Sequence, residues 1–499
     1  MATILASSMA FIDGTVVNVA LPALQQSLHA NVVDVQWVIE AYSLLLSACL
    51  LAGGSLGDEF GRRRIFLLGI GLFALASAGC GLALTIGQLI AARALQGLGA
   101  ALLVPGSLAI ISSSFAAKDR GHAIGTWSGF SAMTAAIGPV VGGWLIEHLS
   151  WRAVFFINLP LALLVIAISV WRVPESRSEE NSRIDWWGGI LGVLGLGGLV
   201  YGLTESSRLG FSNPAIWMAL ASGIVVLALF LVVETRSSHP MLPLRLFRSR
   251  SFAGANLLTL LLYGALGGTL FFLPLNLIQV QRYPATAAGA ALLPFILIVF
   301  LLSRWSGGLV ERVGAKLPLV IGPLVAAAGF GLFILPNVGG IYWTTFFPAV
   351  VVLGTGMAIC VAPLTTTVMN SVPESRAGVA SGINNAVSRT AGLLAIAVFG
   401  IVMLQVFDRS LDRRTSALSL PSGSRVVLAQ QRDKLAGAEL PADLNPETRR
   451  LVRQAIDESF VRGFRAVMIL GALLAIGSAG SAFLLIRDKP SAQMTPREG

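Results

Sequence analysis

A succession of apolar runs, each as long as a membrane-crossing helix, constrains this chain more than any other feature. A helix that crosses the hydrocarbon core needs about 20 mainly apolar residues. Runs of that kind lie near Thr3–Gln25, Asp34–Gly54, Ile65–Thr85, Gln88–Phe115, His122–His148 and Val154–Trp171. Two more lie near Trp186–Tyr201 and Ala215–Val233. A last group lies near Phe252–Leu277, Ala287–Leu309, Leu317–Pro336, Ile341–Val368, Val379–Val406 and Val461–Ile486. These predict an all-α integral membrane protein with about 14 crossings. Composition agrees: 55% of the 499 residues are hydrophobic and 12% charged, against roughly 25% charged in soluble domains. A globule with so little charge cannot cover itself with polar surface, whereas lipid removes that need.

The net charge of +10 does not require nucleic acid. The basic residues gather in alternate short loops: Arg62, Arg63 and Arg64; Lys118 and Arg120; Arg177 and Arg183; Arg236, Arg245, Arg248 and Arg250; Arg312 and Lys316. Such loops are cytoplasmic by the positive-inside bias, and an even number of spans then puts both termini inside. The connection 407–460 is long, polar and rich in arginine, and it falls on the outer side. Long loops escape the charge rule. Helical character over Pro446–Arg462 suggests an external, partly helical cap, with a flexible loop as the alternative. No charged segment precedes the first run, so no cleavable signal peptide is expected.

Cys49, Cys80 and Cys360 lie inside apolar runs without metal-ligand spacing, and read as small buried residues. Four histidines are scattered at loops and helix ends. No Gly-rich loop followed by Lys-Ser/Thr is present, so nothing supports an ATP-driven pump. An enzyme, a metal site and a cofactor are not expected.

The two halves repeat. Gly97-x-Gly99, Pro105, Asp119, Arg120, Gly121 and Gly125 have counterparts in Gly354-x-Gly356, Pro363, Glu374, Arg376, Gly378 and Gly382. Gly53 to Arg62 is echoed by Gly307 to Lys316. The chain therefore divides into an amino-terminal six-helix bundle (1–172), a cytoplasmic linker with two inserted helices (173–250) and a carboxy-terminal six-helix bundle (251–487). Residues 488–499 form a cytoplasmic tail. Repeats of this kind mark transporters whose substrate binds near the midplane, between the halves.

Between spans two and three stands Gly53-Gly54-Ser55-Leu56-Gly57-Asp58-Glu59-Phe60-Gly61-Arg62-Arg63-Arg64. Gly54, Gly57 and Gly61 permit a tight turn and close helix approach. Asp58 can face a helix start, and Arg62 can pair with a carboxylate, Asp119 being a candidate. This stretch resembles the loop motif of the major facilitator superfamily. Phe11 to Pro22 is similar to the first-helix motif of its fourteen-helix drug:proton antiporter family, and Arg93-Ala94-Leu95-Gln96-Gly97-Leu98-Gly99 resembles the fourth-helix motif. Gly138-Pro139-Val140-Val141-Gly142-Gly143, with Gly125 upstream, resembles the fifth-helix antiporter motif, with Thr134 where the family usually has glycine. Trp151-Arg152 and Asn158-x-Pro160 extend the match over essentially the whole chain.

The resemblance implies a bacterial inner-membrane protein that exports small lipophilic or cationic compounds in exchange for protons. It also implies a packing seam at Gly138-Pro139 that limits leakage, and no partner beyond substrate, protons and lipid, the chain acting as a monomer. An exporter of a metabolite, siderophore or lipid, or a sensor without flux, would share the fold. Charges inside spans sharpen the expectation, since each costs roughly 2.5–3.5 kcal/mol to insert. Asp13, Glu40 and Arg93 all fall in the outer-to-middle part of the amino-terminal half. Burial and a neighbouring arginine act in opposite senses on a carboxylate, so a balanced one can exchange protons. Asp13 or Glu40 is expected to carry the coupling proton, with Arg93 modulating it. Arg389, deep in span thirteen, suits an anion contact or an interhelical pair, and Arg304 suits snorkelling. Trp127, Met133, Tyr263, Phe271, Phe272 and Met357 are candidates for a greasy cavity or for ordinary core.

Overall fold

The computed structural model describes residues 1–115, 117–177, 185–237, 240–373, 376–416, 418, 420–440 and 444–487, and these form helices joined by short connections. The amino-terminal half comprises α1 (Ala2–Ser27), α2 (Val32–Phe60), α3 (Arg62–Leu82), α4 (Ile86–Ser114), α5 (Ala117–His148) and α6 (Ala153–Arg172). The inserted pair is α7 (Trp186–Leu209) and α8 (Pro214–Arg236). The carboxy-terminal half comprises α9 (Arg250–Val280), α10 (Ala285–Ser303), α11 (Lys316–Leu332), α12 (Phe347–Asn370), α13 (Ala377–Ser416) and α14 (Pro446–Leu485). Among the described residues, 12 helices are long and apolar enough to cross a membrane. α5, and the 17-residue α11, stand where the sequence places two further spans.

The sequence sets several helix starts locally. Asn31 with Asp34, and Thr85 with Gln88, form reciprocal capping boxes at α2 and α4; each satisfies two backbone N–H groups that would otherwise lack partners. Asn213 caps α8 ahead of Pro214, and Asn445 caps α14 ahead of Pro446, where the missing proline N–H costs nothing. Gly61 ends α2 with φ +111°, and Gly314 holds the matching turn of the other half with φ +79°. Only glycine adopts such backbone freely.

Glycine also carries the repeat into packing. A Cβ on Gly69 would lie 3.0 Å from the Gly99 carbonyl oxygen, and one on Gly322 would lie 2.9 Å from that of Gly356. The α3–α4 and α11–α12 seams are thus the same contact, built at the same offset beyond equivalent turns. The turns Gly61 and Gly314 mark one end of the molecule, here the basic end; the opposite end carries residues 420–440.

The inserted pair is not a spacer set apart from the halves. α7 packs on both α2 and α13, so it bridges them, while α8 packs mainly on α7. Little of α8 is buried, and Trp217, Met218, Ile224 and Val225 are exposed on it. A face this apolar suits lipid rather than water.

At the far end, α13 runs on to Ser416 and a further helix spans Ser422–Gln430. A 3-10 turn, Arg432–Gly437, then inserts Leu435 and Ala436 as buried side chains. Arg453 of α14 ties the segment down by donating to the carbonyls of Ala436 (2.8 Å), Ala438 and Gln279 (3.3 Å each). This capped end is helical at its margins and packed in its middle.

Candidate functional site

Asp13, Arg93 and Glu40 are all buried, at 0%, 1% and 0% exposure, but the structure separates them into two groups. Asp13 on α1 and Arg93 on α4 meet directly: Arg93 NH1 donates to Asp13 Oδ2 at 2.5 Å. Gln96, one turn along α4 from Arg93, accepts from the same NH1 at 2.7 Å and donates to Asp13 Oδ1 at 2.9 Å. Asn158 of α6 donates to Asp13 Oδ1 at 3.3 Å and to Ser77 Oγ of α3 at 3.0 Å. Ser77 in turn donates to the Phe155 carbonyl. Arg93 Nε donates to the Val38 carbonyl of α2, and the guanidinium lies 4.2 Å from the Tyr42 ring centre.

Five helices therefore converge on one ion pair. Gly97 makes this possible, because a Cβ there would lie 2.4 Å from the Tyr42 carbonyl oxygen. Its absence lets α2 close on α4 and bring Val38 and Tyr42 onto Arg93. A pair in low dielectric is worth its desolvation only when its remaining hydrogen-bonding groups are also met; Gln96, Asn158 and the Val38 carbonyl do so.

Glu40 takes no part in this network. It lies on another face of α2, where Thr204 of α7 donates to its Oε2 at 2.8 Å and its Oε1 has no partner. Close by, Trp37 donates to Glu205, which pairs with Arg208. Helical depth fixed the level of Glu40 but not its azimuth, and the inserted helix supplies its partner. Arg389 on α13 is partly exposed and lies within electrostatic reach of Tyr42.

At the basic end, Arg62 pairs with Asp58 one turn earlier, at 2.8 Å. The pair spans the Gly61 turn, joining the last turn of α2 to the first residue of α3. The Asp119 side chain, the expected partner, lies outside the described residues, as do the Arg304 side chain and the surroundings of Gly125. Glu175 in the linker holds the turn instead: its Oε1 accepts from the Arg63 amide at 3.0 Å, and Arg62 N donates to the Ser176 carbonyl. A Cβ on Gly61 would lie 2.8 Å from Glu175 Oε1. Gly54 and Gly57 leave only ordinary contacts, whereas Gly53 touches Ala101 closely.

The Gly138-Pro139-x-x-Gly142-Gly143 stretch faces two partners. Gly138 and Gly142 abut Thr15 and Val16 of α1, where an added Cβ would lie 2.3 and 2.7 Å from side-chain atoms. Gly143 abuts the Ala285 carbonyl oxygen of α10, and Gly289 of α10 abuts the Pro139 carbonyl oxygen; a Cβ would approach them to 2.4 and 2.1 Å. Glu147 then accepts from Thr286 Oγ1 at 2.7 Å. The halves meet again at Gln36, which donates to the Ile396 carbonyl, and at Gln279, which donates to Gln25. These contacts between halves lie toward the capped end. Phe271, Phe272 and Met357 are fully buried core, and Trp127 donates to Ser7 within its own half.

Ser77, Tyr42 and Thr204 were not singled out by sequence reasoning, and Gln96 and Asn158 entered only as motif residues without a role. Gln96 was within reach of it, being three residues from Arg93 and so on the same face. The sequence profile of the Major Facilitator Superfamily matches residues 3–396. The chain is 35% identical over 430 residues to a protein of Mycobacterium tuberculosis named multidrug resistance protein Stp, covering 86% of this chain and 80% of that one. It is 32% identical over 495 residues to the tetracenomycin C resistance and export protein of Streptomyces glaucescens, covering 98% and 91%. In fold it is similar to a bacterial homologue of the human lysosomal transporter Spinster in an inward-facing, unoccupied conformation. That likeness has a TM-score of 0.68 at 17% identity and covers 98% of each chain.

Proposed function

Because the chain belongs to the Major Facilitator Superfamily, a family of transporters, we propose that it exports small lipophilic, drug-like compounds by alternating access in exchange for protons. Relatives named for multidrug resistance and for tetracenomycin C resistance and export support the direction and the substrate class. The observation that carries the coupling is Asp13, a buried carboxylate held by Arg93, Gln96 and Asn158. Protonating Asp13 takes the network from neutral to a net charge of +1 and weakens its hold on α1, which lies directly against the α5 seam. A proton is thereby linked to the helix contacts that close the capped end.

The basic end is read as cytoplasmic, since Arg62, Arg63, Arg64, Arg245, Arg248 and Lys316 gather there. Both termini are then inside, the segment 407–460 is outside, and the chain crosses a bacterial inner membrane 14 times with α5 and α11 included. Glu40, held by Thr204 of the bridging helix α7, is a second titratable group that follows motion of α7.

Proton release on substrate addition tests the assignment. With ethidium as substrate, wild type releases protons and Glu40→Gln retains that release, whereas Asp13→Asn loses it together with protonophore-sensitive efflux from energised vesicles. Unchanged release and efflux in Asp13→Asn would remove Asp13 from the mechanism.

A further inference from the structure

Arg389 is a half-buried charge on α13 that no described residue neutralises. Asp13 is matched by Arg93, and Glu205 by Arg208. Arg389 has no hydrogen bond or ion pair among the described residues. It is 12 residues into α13, about 18 Å along the helix from the basic end, where a bare guanidinium is costly.

The register of α2 against α13 shows where Arg389 points. The two helices run antiparallel and touch near the capped end, where Gln36 donates to the Ile396 carbonyl and lies against Gly400. Moving seven residues from Ile396 toward the basic end reaches Arg389; moving the same distance along α2 from Gln36 reaches Ser43. Arg389 shares the α13 face of Ile396 and Gly400 to within about 40° at 3.6 residues per turn. It therefore confronts the middle of α2 at Ser43, and the neighbouring Tyr42 lies within electrostatic reach of it. Tyr42 is 4% exposed and its hydroxyl has no hydrogen-bond partner. Its ring already lies against Arg93. Two donors without acceptors, one from each half, thus face one region at mid-membrane.

Resting on the export reading, we propose that Arg389 and Tyr42 form the recognition site for an acidic group on the transported compound, a carboxylate or the oxyanion of an acidic phenol or enol. The guanidinium offers paired N–H donors suited to a carboxylate, and the tyrosine hydroxyl adds a third. Because the two residues belong to different halves, an anion bound between them draws the halves together. Asp13 does not compete for Arg389, being fully engaged by Arg93, Gln96 and Asn158.

The test uses the purified full-length protein and a matched pair of probes, 2-naphthylacetate and its neutral amide, with ethidium as a transport reference. Wild type binds the acid more tightly than the amide. Arg389→Gln weakens acid binding at least tenfold, about 1.4 kcal/mol, and leaves amide binding within twofold. Arg389→Lys keeps part of the acid preference, and Tyr42→Phe loses several-fold. The proposal is overturned if wild type shows no acid preference, or if Arg389→Gln weakens acid and amide alike or neither. If ethidium is pumped but the acid preference is absent, this site is wrong while export stands. If the preference is present but nothing is pumped, export is wrong while the site stands.

Discussion

Replacing Gly289 with alanine should open the capped end without unfolding either half. The added Cβ would sit 2.1 Å from the Pro139 carbonyl oxygen and 2.6 Å from its carbon, both backbone atoms of the other half. Ordinary contact begins near 3.4 Å, and backbone cannot rotate away as a side-chain tip can. The two helices must therefore part by roughly 1 Å, and overpacking of this kind costs about 1–3 kcal/mol. The cost falls only on the state in which α5 and α10 touch. Closure should shift by about 5- to 150-fold toward the separated state. Spin labels at Leu149 and Leu335, both exposed and one in each half, report the separation by pulsed electron resonance once Cys49 has been replaced. Gly356→Ala is the control: its Cβ would lie 2.4 Å from the Ala326 amide nitrogen, within one half. It should lower thermal stability and leave the distance distribution unchanged. A Gly289→Ala distribution identical to wild type, or equal shifts in both variants, would refute the reasoning.

Two further outcomes follow from buried charges. Arg93→Met should destabilise the detergent-solubilised protein by about 3–5 kcal/mol, because it strands a buried Asp13; adding Asp13→Asn should recover much of that loss in thermal unfolding. Asp433 lies in the docked cap, where burial and then the Asp34 charge hold its carboxyl above the ordinary range, with Lys434 and Asn31 opposing. The docked cap thus binds more protons than the free segment, so docking is most stable below the free value of 3.8 and weakens as pH rises through the raised one. Asp433→Asn should increase amide protection over Arg432–Gly437 at neutral pH and change nothing below about pH 4.

Much of the architecture was legible because it is written in one-dimensional terms. Span length, the repeat of glycines and the positive-φ turns at Gly61 and Gly314 each depend on residues close together in sequence. The charges Asp13, Glu40, Arg93 and Arg389 were legible for the same reason, since any charge inside a 20-residue apolar run stands out. Even the Asp58–Arg62 pair joins residues close in sequence, on either side of the Gly61 turn.

What the sequence left open is which neighbour each charge meets. Asp13 and Glu40 were both candidates for the coupling proton. Tertiary packing gave one to Arg93 and the other to Thr204, and left Arg389 within electrostatic reach of Tyr42 with no counter-ion among the described residues. Helical periodicity fixes the face of a residue relative to its own helix, but not which helix lies against that face. The partners of Asp13 come from positions 80 and 145 residues away along the chain, brought together by close approaches such as that at Gly97. The apolar pattern thus determined that the chain folds into helices long enough to cross a membrane. The rotation and contact of those helices decided which polar groups meet inside it.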